Sequence, residues 1–134
     1  MGDEVASSGG GRGGSPSALQ AFLTGKVGAA QAKVKLAEMV IFTRQMATMI
    51  AAGIPLLECL EILAEQMDNP GFKAVLEDVV YEVRGGTDLS TAMGKHPRVF
   101  EDIYVNMIRA GEVSGQIDEI LLRLAEYQES TAKL

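Results

Sequence analysis

The stretch that decides the fold runs from Leu36 to Pro55 and reads LAEMVIFTRQMATMIAAGIP. Mostly apolar side chains recur in it at steps of three and four residues, which is the spacing of one face of an α-helix. The members of this face are Leu36, Met39, Val40, Thr43, Met46, Ala47 and Ile50. Gly53 is expected to stop the helix, and Pro55 suits the first turn of a second one.

The same spacing continues through two further helices. The second helix is expected to end before Asn69. Its inward-facing apolar residues are Leu56, Leu60, Leu63 and Met67. The third helix covers Phe72 to Val83 and ends at Gly85-Gly86. Its closely spaced valines would also suit a strand, but its charged residues fall on the opposite helical face, which favours a helix.

Three shorter segments complete the pattern. The fourth predicted helix is Leu89 to Lys95, with Thr87 or Asp88 as its cap, and His96-Pro97 ends it. The fifth covers about Phe100 to Ala110, and Gly111 is expected to take the left-handed conformation after it. Ser114 is expected to cap the sixth helix, whose apolar face is Ile117, Ile120, Leu121, Leu124 and Tyr127.

The connections between these segments are two to five residues long. Short connections make successive helices antiparallel neighbours, so the sequence predicts an all-α fold, a compact antiparallel six-helix bundle. We assign residues 35–134 to this bundle and residues 1–34 to a flexible leader and linker rich in glycine and serine. Within the linker, Ser17 to Leu23 could form one or two helical turns.

Composition and charge exclude several classes of function. A net charge of −6 argues against general nucleic-acid binding, which needs a concentrated basic face. No uncharged run is longer than 13 residues, whereas a membrane-spanning helix needs about 20. Cys59 is the single cysteine, so no internal disulfide can form.

Carboxylates supply the candidate metal ligands. Glu58, Glu112 and Asp118 are the candidates for a site that would hold a hard divalent cation such as calcium. No contiguous Asp-x-Asp-x-Asp loop accompanies them, so a solvated acidic face is the favoured interpretation, and we expect no cofactor.

The remaining polar residues do not assemble a reaction centre. His96 stands without a second histidine, and no phosphate-binding loop is present, so we expect no enzyme. Arg44 and Gln45 lie among apolar neighbours on the first helix. They indicate either a partner contact or, as the favoured alternative, an ion pair between Arg44 and a carboxylate such as Glu112.

Four fragments in fixed order resemble a known family. They are FTRQMATMIAAGIPL from Phe42, GGTDLSTAM from Gly85, HPRVF from His96 and RAGEVSGQIDEILLRLAEY from Arg109. Together they resemble the cytoplasmic repeat of the type II secretion F family, the inner-membrane platform proteins of type IV pili and type II secretion systems. The structural motif positions are Phe42, Arg44, Gln45, Gly53, Pro55, Gly86, Pro97, Phe100, Gly111, Glu112 and Gly115.

The resemblance implies a role as well as a fold. It implies a non-catalytic scaffold on the cytoplasmic face of the bacterial inner membrane, cut from a membrane-anchored parent that carries the repeat twice. The implied partners are the assembly ATPase and other inner-membrane assembly proteins. Separately, the mean hydropathy is high for an acidic chain, which predicts apolar surface left for partners and a dimer of this chain at high concentration. The sequence around Thr48 and Leu60 resembles the pilus branch of the family more than the secretion branch. The alternatives are the equivalent domain of a secretion system and a free-standing helical adaptor.

Overall fold

The computed structural model describes residues 32–132, and within that range the chain forms six α-helices and no strand. The helices are α1 (Leu36–Ala51), α2 (Leu56–Gln66), α3 (Pro70–Arg84), α4 (Leu89–Gly94), α5 (Asp102–Ser114) and α6 (Ile117–Thr131). α1 packs most extensively on α6, and α2 packs most extensively on α3. The predicted all-α six-helix fold is therefore confirmed.

Three phenylalanines from separate parts of the chain meet at the centre of the core. The ring of Phe42 on α1 lies 5.2 Å from that of Phe72 on α3 and 6.2 Å from that of Phe100. Phe100 precedes α5 and also contacts the ring of Tyr104, 5.4 Å away. Aromatic pairs at such separations contribute beyond the apolar area that they bury. The two motif phenylalanines, Phe42 and Phe100, are thus packing residues.

One hydrogen bond lies inside this core. The hydroxyls of Thr43 and Tyr104 are 2.9 Å apart, and both side chains are buried. Burial raises the pKa of the Tyr104 hydroxyl far above its ordinary value, so the group stays protonated and can donate. The bond connects α1 to α5. Thr43 belongs to the predicted buried face of the first helix, but its partner was not predicted.

Glycines and prolines end the helices, though not always at the predicted residue. Gly53 closes α1 with a φ of 90°, and Pro55 is the cap residue before α2. The prediction for Gly111 was wrong, because this residue lies inside α5, which continues to Ser114. The left-handed residue is Gly115, with a φ of 77°. Helix α5 thus begins two residues later and ends four residues later than predicted.

Gly111 is needed for a different reason. A Cβ atom added there would lie 3.1 Å from the Cα of Ile117 and 3.1 Å from side-chain atoms of Ile117 and Ile120. Those distances are shorter than ordinary van der Waals contacts. The absence of a side chain at Gly111 therefore allows α6 to pack closely against α5.

Two predicted helix caps have other roles. Ser114 ends α5, and its hydroxyl accepts from the N–H of Gln116, which is itself the cap residue of α6. Asp88 occupies the cap position of α4 but makes no side-chain cap bond, and Thr87 instead donates to Glu82. The capping roles predicted for these side chains were wrong.

Asn69 organises the other end of the bundle. Its side-chain oxygen accepts from the N–H groups of Gly71 and Phe72, which caps α3. Its amide nitrogen donates to the carbonyl of Lys33 at 3.0 Å. Ala32 is buried next to Gly71, so residues 32–34, assigned above to the linker, already lie against the bundle. The rest of the predicted leader, residues 1–31, lies outside the described residues.

Candidate functional site

The motif residue Arg44 forms an ion pair, although not with the predicted partner. Its guanidinium donates two hydrogen bonds to the carboxylate of Glu129, at 2.8 and 2.6 Å. These bonds raise the pKa of Arg44 and lower the pKa of Glu129. The pair joins α1 to α6, so the prediction of a pair with Glu112 was wrong. Gln45, the next residue, is exposed to solvent.

Glu112 binds a different element. Its carboxylate accepts from the backbone N–H of Ser90 at 3.2 Å and from the Ser90 hydroxyl at 2.5 Å. Ser90 is buried at the start of α4, and Glu112 lies near the end of α5. A carboxylate that satisfies a buried N–H and hydroxyl stabilises this packing. Both motif residues, Arg44 and Glu112, therefore connect one helix to another.

An open acidic groove lies between α2 and α3 and encloses about 700 Å³. The groove is lined by Glu58, Glu61, Glu65, Lys73, Glu77 and Arg84, among others. Two of these side chains hold the helices together. Arg84 pairs with Glu61 at 2.6 Å, and Lys73 donates to the carbonyl of Ala64 at 2.8 Å. Glu58 and Glu65 are exposed on the same groove. They leave a negative surface available to a partner.

The three candidate metal ligands lie on three helices. Glu58 is on α2, Glu112 is on α5, where it binds Ser90, and Asp118 is in the first turn of α6. Between residues 32 and 132, no three His, Cys, Asp or Glu side chains are grouped so that they could hold a metal ion. The structure therefore does not bring the candidate ligands together.

Two further polar groups have structural roles in the described part of the chain. The Nε2 atom of His96 lies 2.7 Å from the Asp78 carboxylate, which connects the α4–α5 turn to α3. Cys59 is fully buried, and its thiol donates to the carbonyl of Ile54. Burial raises the pKa of this thiol, which disfavours the reactive thiolate.

Comparisons with known proteins match the sequence of this chain to one family. A model of the family described as type II secretion system protein F matches residues 42–134. The type IV pilus assembly protein PilC of Myxococcus xanthus is 52% identical over 97 residues, which cover 72% of this chain and 23% of that protein. The chain belongs to the type II secretion system protein F family.

Relatives from both branches of the family match the same region. The type IV pilus assembly protein PilC of Pseudomonas aeruginosa is 41% identical over 102 residues, 76% of this chain and 27% of that protein. The type II secretion system protein F of Vibrio cholerae is 40% identical over 97 residues, 72% of this chain and 24% of that protein. The chain thus spans about a quarter of the length of these relatives. Every helix between residues 32 and 132 falls short of the length and hydrophobicity that a membrane span requires.

Proposed function

We propose that this domain is a non-catalytic scaffold of a platform protein in the bacterial inner membrane that serves type IV pilus assembly. The observation that carries the proposal is the 52% identity to a protein named for type IV pilus assembly. The equivalent domain of a secretion system is the alternative, and a free-standing adaptor is a second one. In the proposed role the domain lies on the cytoplasmic face and passes on the movements of the assembly ATPase.

The acidic groove between α2 and α3 is the surface that we assign to the ATPase. Glu58 and Glu65 are exposed there, whereas Glu61 and Lys73 are engaged in contacts between the two helices. A negative rim speeds and orients the approach of a basic surface, and it does so most at low salt. The partner surface is therefore expected to be basic.

Titration calorimetry of the domain with the purified pilus ATPase tests this assignment. We expect weak binding, in the micromolar range of small transient interfaces. The double variant Glu58→Lys/Glu65→Lys should weaken binding without lowering the melting temperature. Glu119→Lys/Glu126→Lys is the matched control, because it changes the net charge equally at two exposed glutamates of α6, outside the groove. Absence of binding in every nucleotide state, or equal loss in the control, would contradict the assignment.

The same measurement separates the two branches. A domain of the pilus branch should bind the pilus ATPase more tightly than the secretion ATPase of the same bacterium. The reverse order would favour the secretion alternative. Binding to neither ATPase, together with a gene that encodes no apolar segment after Leu134, would favour the adaptor.

Self-association forms part of the proposal. Ile41 on α1 and Leu122 on α6 are large apolar side chains exposed on two helices that pack together. We expect a weak dimer at high concentration, because exposed apolar surface promotes association. Sedimentation equilibrium checks this, and Ile41→Ser should shift the equilibrium towards monomer. A monomer at all concentrations up to the millimolar range would contradict it.

The absence of a cofactor also remains a proposal. We expect the melting temperature to be the same in calcium and in a chelator, because ligand binding to the folded state would raise it. A calcium-dependent rise that is lost in Asp118→Asn would reveal a metal site.

A further inference from the structure

A groove of mainly apolar lining, which Arg98 and Glu101 also border, lies where α1 begins, α5 begins and α6 ends, and it encloses about 330 Å³. We call it the apolar groove. Its buried floor includes Val99 and Leu124. Three large side chains on its rim remain exposed: Leu36 at 44%, Ile103 at 45% and Tyr127 at 45%. Single exposed apolar residues are ordinary on a protein surface, but a contiguous group marks a binding site. The lining of this groove therefore indicates an occupant.

A second observation at the groove points the same way. Gln128 lines it and is only 8% exposed, and its side-chain oxygen is buried without a hydrogen-bond partner among the described residues. A buried unpaired acceptor of this kind costs about 1–3 kcal/mol. An occupant that brings an N–H or hydroxyl group would remove the penalty.

The chain itself contains a segment of matching chemistry. Residues 17–23 read SALQAFL, and they belong to an uncharged run that extends from Gly13 to Gly25. Leu19, Phe22 and Leu23 follow the spacing of a helix face that anchors in a groove. The segment also carries amide and hydroxyl donors. It lies outside the described residues.

The connection to the bundle is short enough to hold this segment near the groove. Eight residues separate Leu23 from Ala32, which is buried on the bundle, and Val34 lines the groove. An extended stretch of that length reaches about 30 Å. A tether so short raises the effective concentration of the segment to about the millimolar range, so even weak docking is populated.

We propose that residues 17–23 of this chain occupy the apolar groove and cover its rim. Leu19, Phe22 and Leu23 fill the space between the rim side chains, and a polar group of the segment pairs with Gln128. This inference is independent of the ATPase assignment, since the groove and the acidic α2–α3 surface share no lining residue.

Paramagnetic relaxation in the full chain tests the proposal. A nitroxide is attached at Ser15→Cys, just outside the segment, while the full burial of the native Cys59 makes it a poor target for the label. We expect loss of amide signal intensity at Ile103 and Tyr127. In the double variant Phe22→Ser/Leu23→Ser, the loss of signal intensity at Ile103 and Tyr127 should fall to the level that an undocked segment would cause. Val27→Ser, outside the segment, is the matched control and should keep the full effect.

Further arms separate the possible occupants. Ile103→Asp should abolish the effect, whereas Val113→Asp should not, because Val113 is 84% exposed and lies outside the groove. An equal signal loss with and without the Phe22 and Leu23 changes would overturn the proposal. Signal loss in an isotope-labelled chain mixed with an unlabelled, nitroxide-bearing chain would assign the groove to a second copy instead. Signal loss centred on another surface would also overturn it.

Discussion

At the scale of the residue, Gly111 and Gly115 belong to one motif but are required for opposite reasons. Gly115 needs a positive φ, which strains other residues by about 1–3 kcal/mol and strains asparagine least. Gly111 needs the absence of a Cβ next to Ile117. We therefore expect Gly115→Asn to be milder than Gly115→Ala, and Gly111→Ala to be milder than Gly111→Asn. Chemical denaturation of the four variants measures both orders.

A matched control for these variants is Gly94→Ala. A Cβ at Gly94 would meet only a side-chain atom of Val105, at 3.7 Å, which is an ordinary contact. We expect this change to be neutral or slightly stabilising, because alanine favours the helix over glycine. If alanine and asparagine ranked in the same order of stability loss at Gly111 and at Gly115, our interpretation would be contradicted.

The bond between Thr43 and Tyr104 allows a second prediction at this scale. Tyr104→Phe leaves the Thr43 hydroxyl buried without that partner, so we expect a loss of about 1–2 kcal/mol of unfolding free energy. Thr43→Val should cost a similar amount. The double variant should cost less than the sum, because no polar group is then left unpaired. Additive losses in a double-mutant cycle would show that the two hydroxyls do not depend on each other.

The pair of Arg44 and Glu129 predicts how stability changes with pH. The pKa of Glu129 is lowered in the folded state, so its contribution is fully present above the ordinary glutamate pKa. It is lost as the pH falls through the lowered pKa of the folded state. We expect Glu129→Gln to lose less stability than the parent chain between about pH 7 and about pH 3. Parallel acid dependences of the two melting temperatures would contradict this.

At the scale of the element, Asn69 is the side chain whose removal should affect more than one segment. It caps α3 and also binds the carbonyl of Lys33 ahead of α1. We expect Asn69→Ala to cost about 1 kcal/mol for the cap alone. Hydrogen exchange should also rise at residues 33–35. Asp88→Ala is the control, because Asp88 makes no side-chain cap bond, and an equal loss there would contradict the prediction.

Helix existence could be predicted from the sequence much better than helix ends. Apolar spacing, together with the cap and break signals around α4, predicted the six helices found between residues 32 and 132. Val75, Val79 and Val80 of α3 are buried, as the helix interpretation required. The end of α5 was misplaced because a glycine near a helix end resembles a cap. Gly111 is instead required because α6 packs closely against it. This contact is between two helices, so the spacing of residues along one helix could not predict it.

The candidate site was less predictable for the same physical reason. The sequence indicated that Arg44 pairs with a carboxylate, because a charge among apolar neighbours needs a partner. It could not choose among carboxylates, and the partner of Arg44 is Glu129, 85 positions away. The apolar groove was missed altogether. Its rim residues Leu36, Ile103 and Tyr127 come from three helices and adjoin only after folding.

At the scale of the whole molecule, α1 and α6 lie antiparallel and close the bundle. Leu36, which begins α1, and Thr131, which ends α6, line the same groove, whereas Ala51 and Gln116 line a pocket at the opposite end. The chain therefore joins and leaves the bundle at one end. The pairing of the first and last helices makes the long-range contacts that unite the fold.

This placement has a mechanical consequence. Tension applied to the chain on both sides of the bundle would unzip α1 from α6 one turn at a time, whereas tension between Lys35 and Gln116 would shear all their contacts at once. Force spectroscopy with cysteine attachments at these positions and at Ala132 should give the lower rupture force for the unzipping pair. In the proposed role as a relay, this domain would stay folded best if load reached it through the sides of its helices. Load applied through its own flanking chain would unfold it more readily.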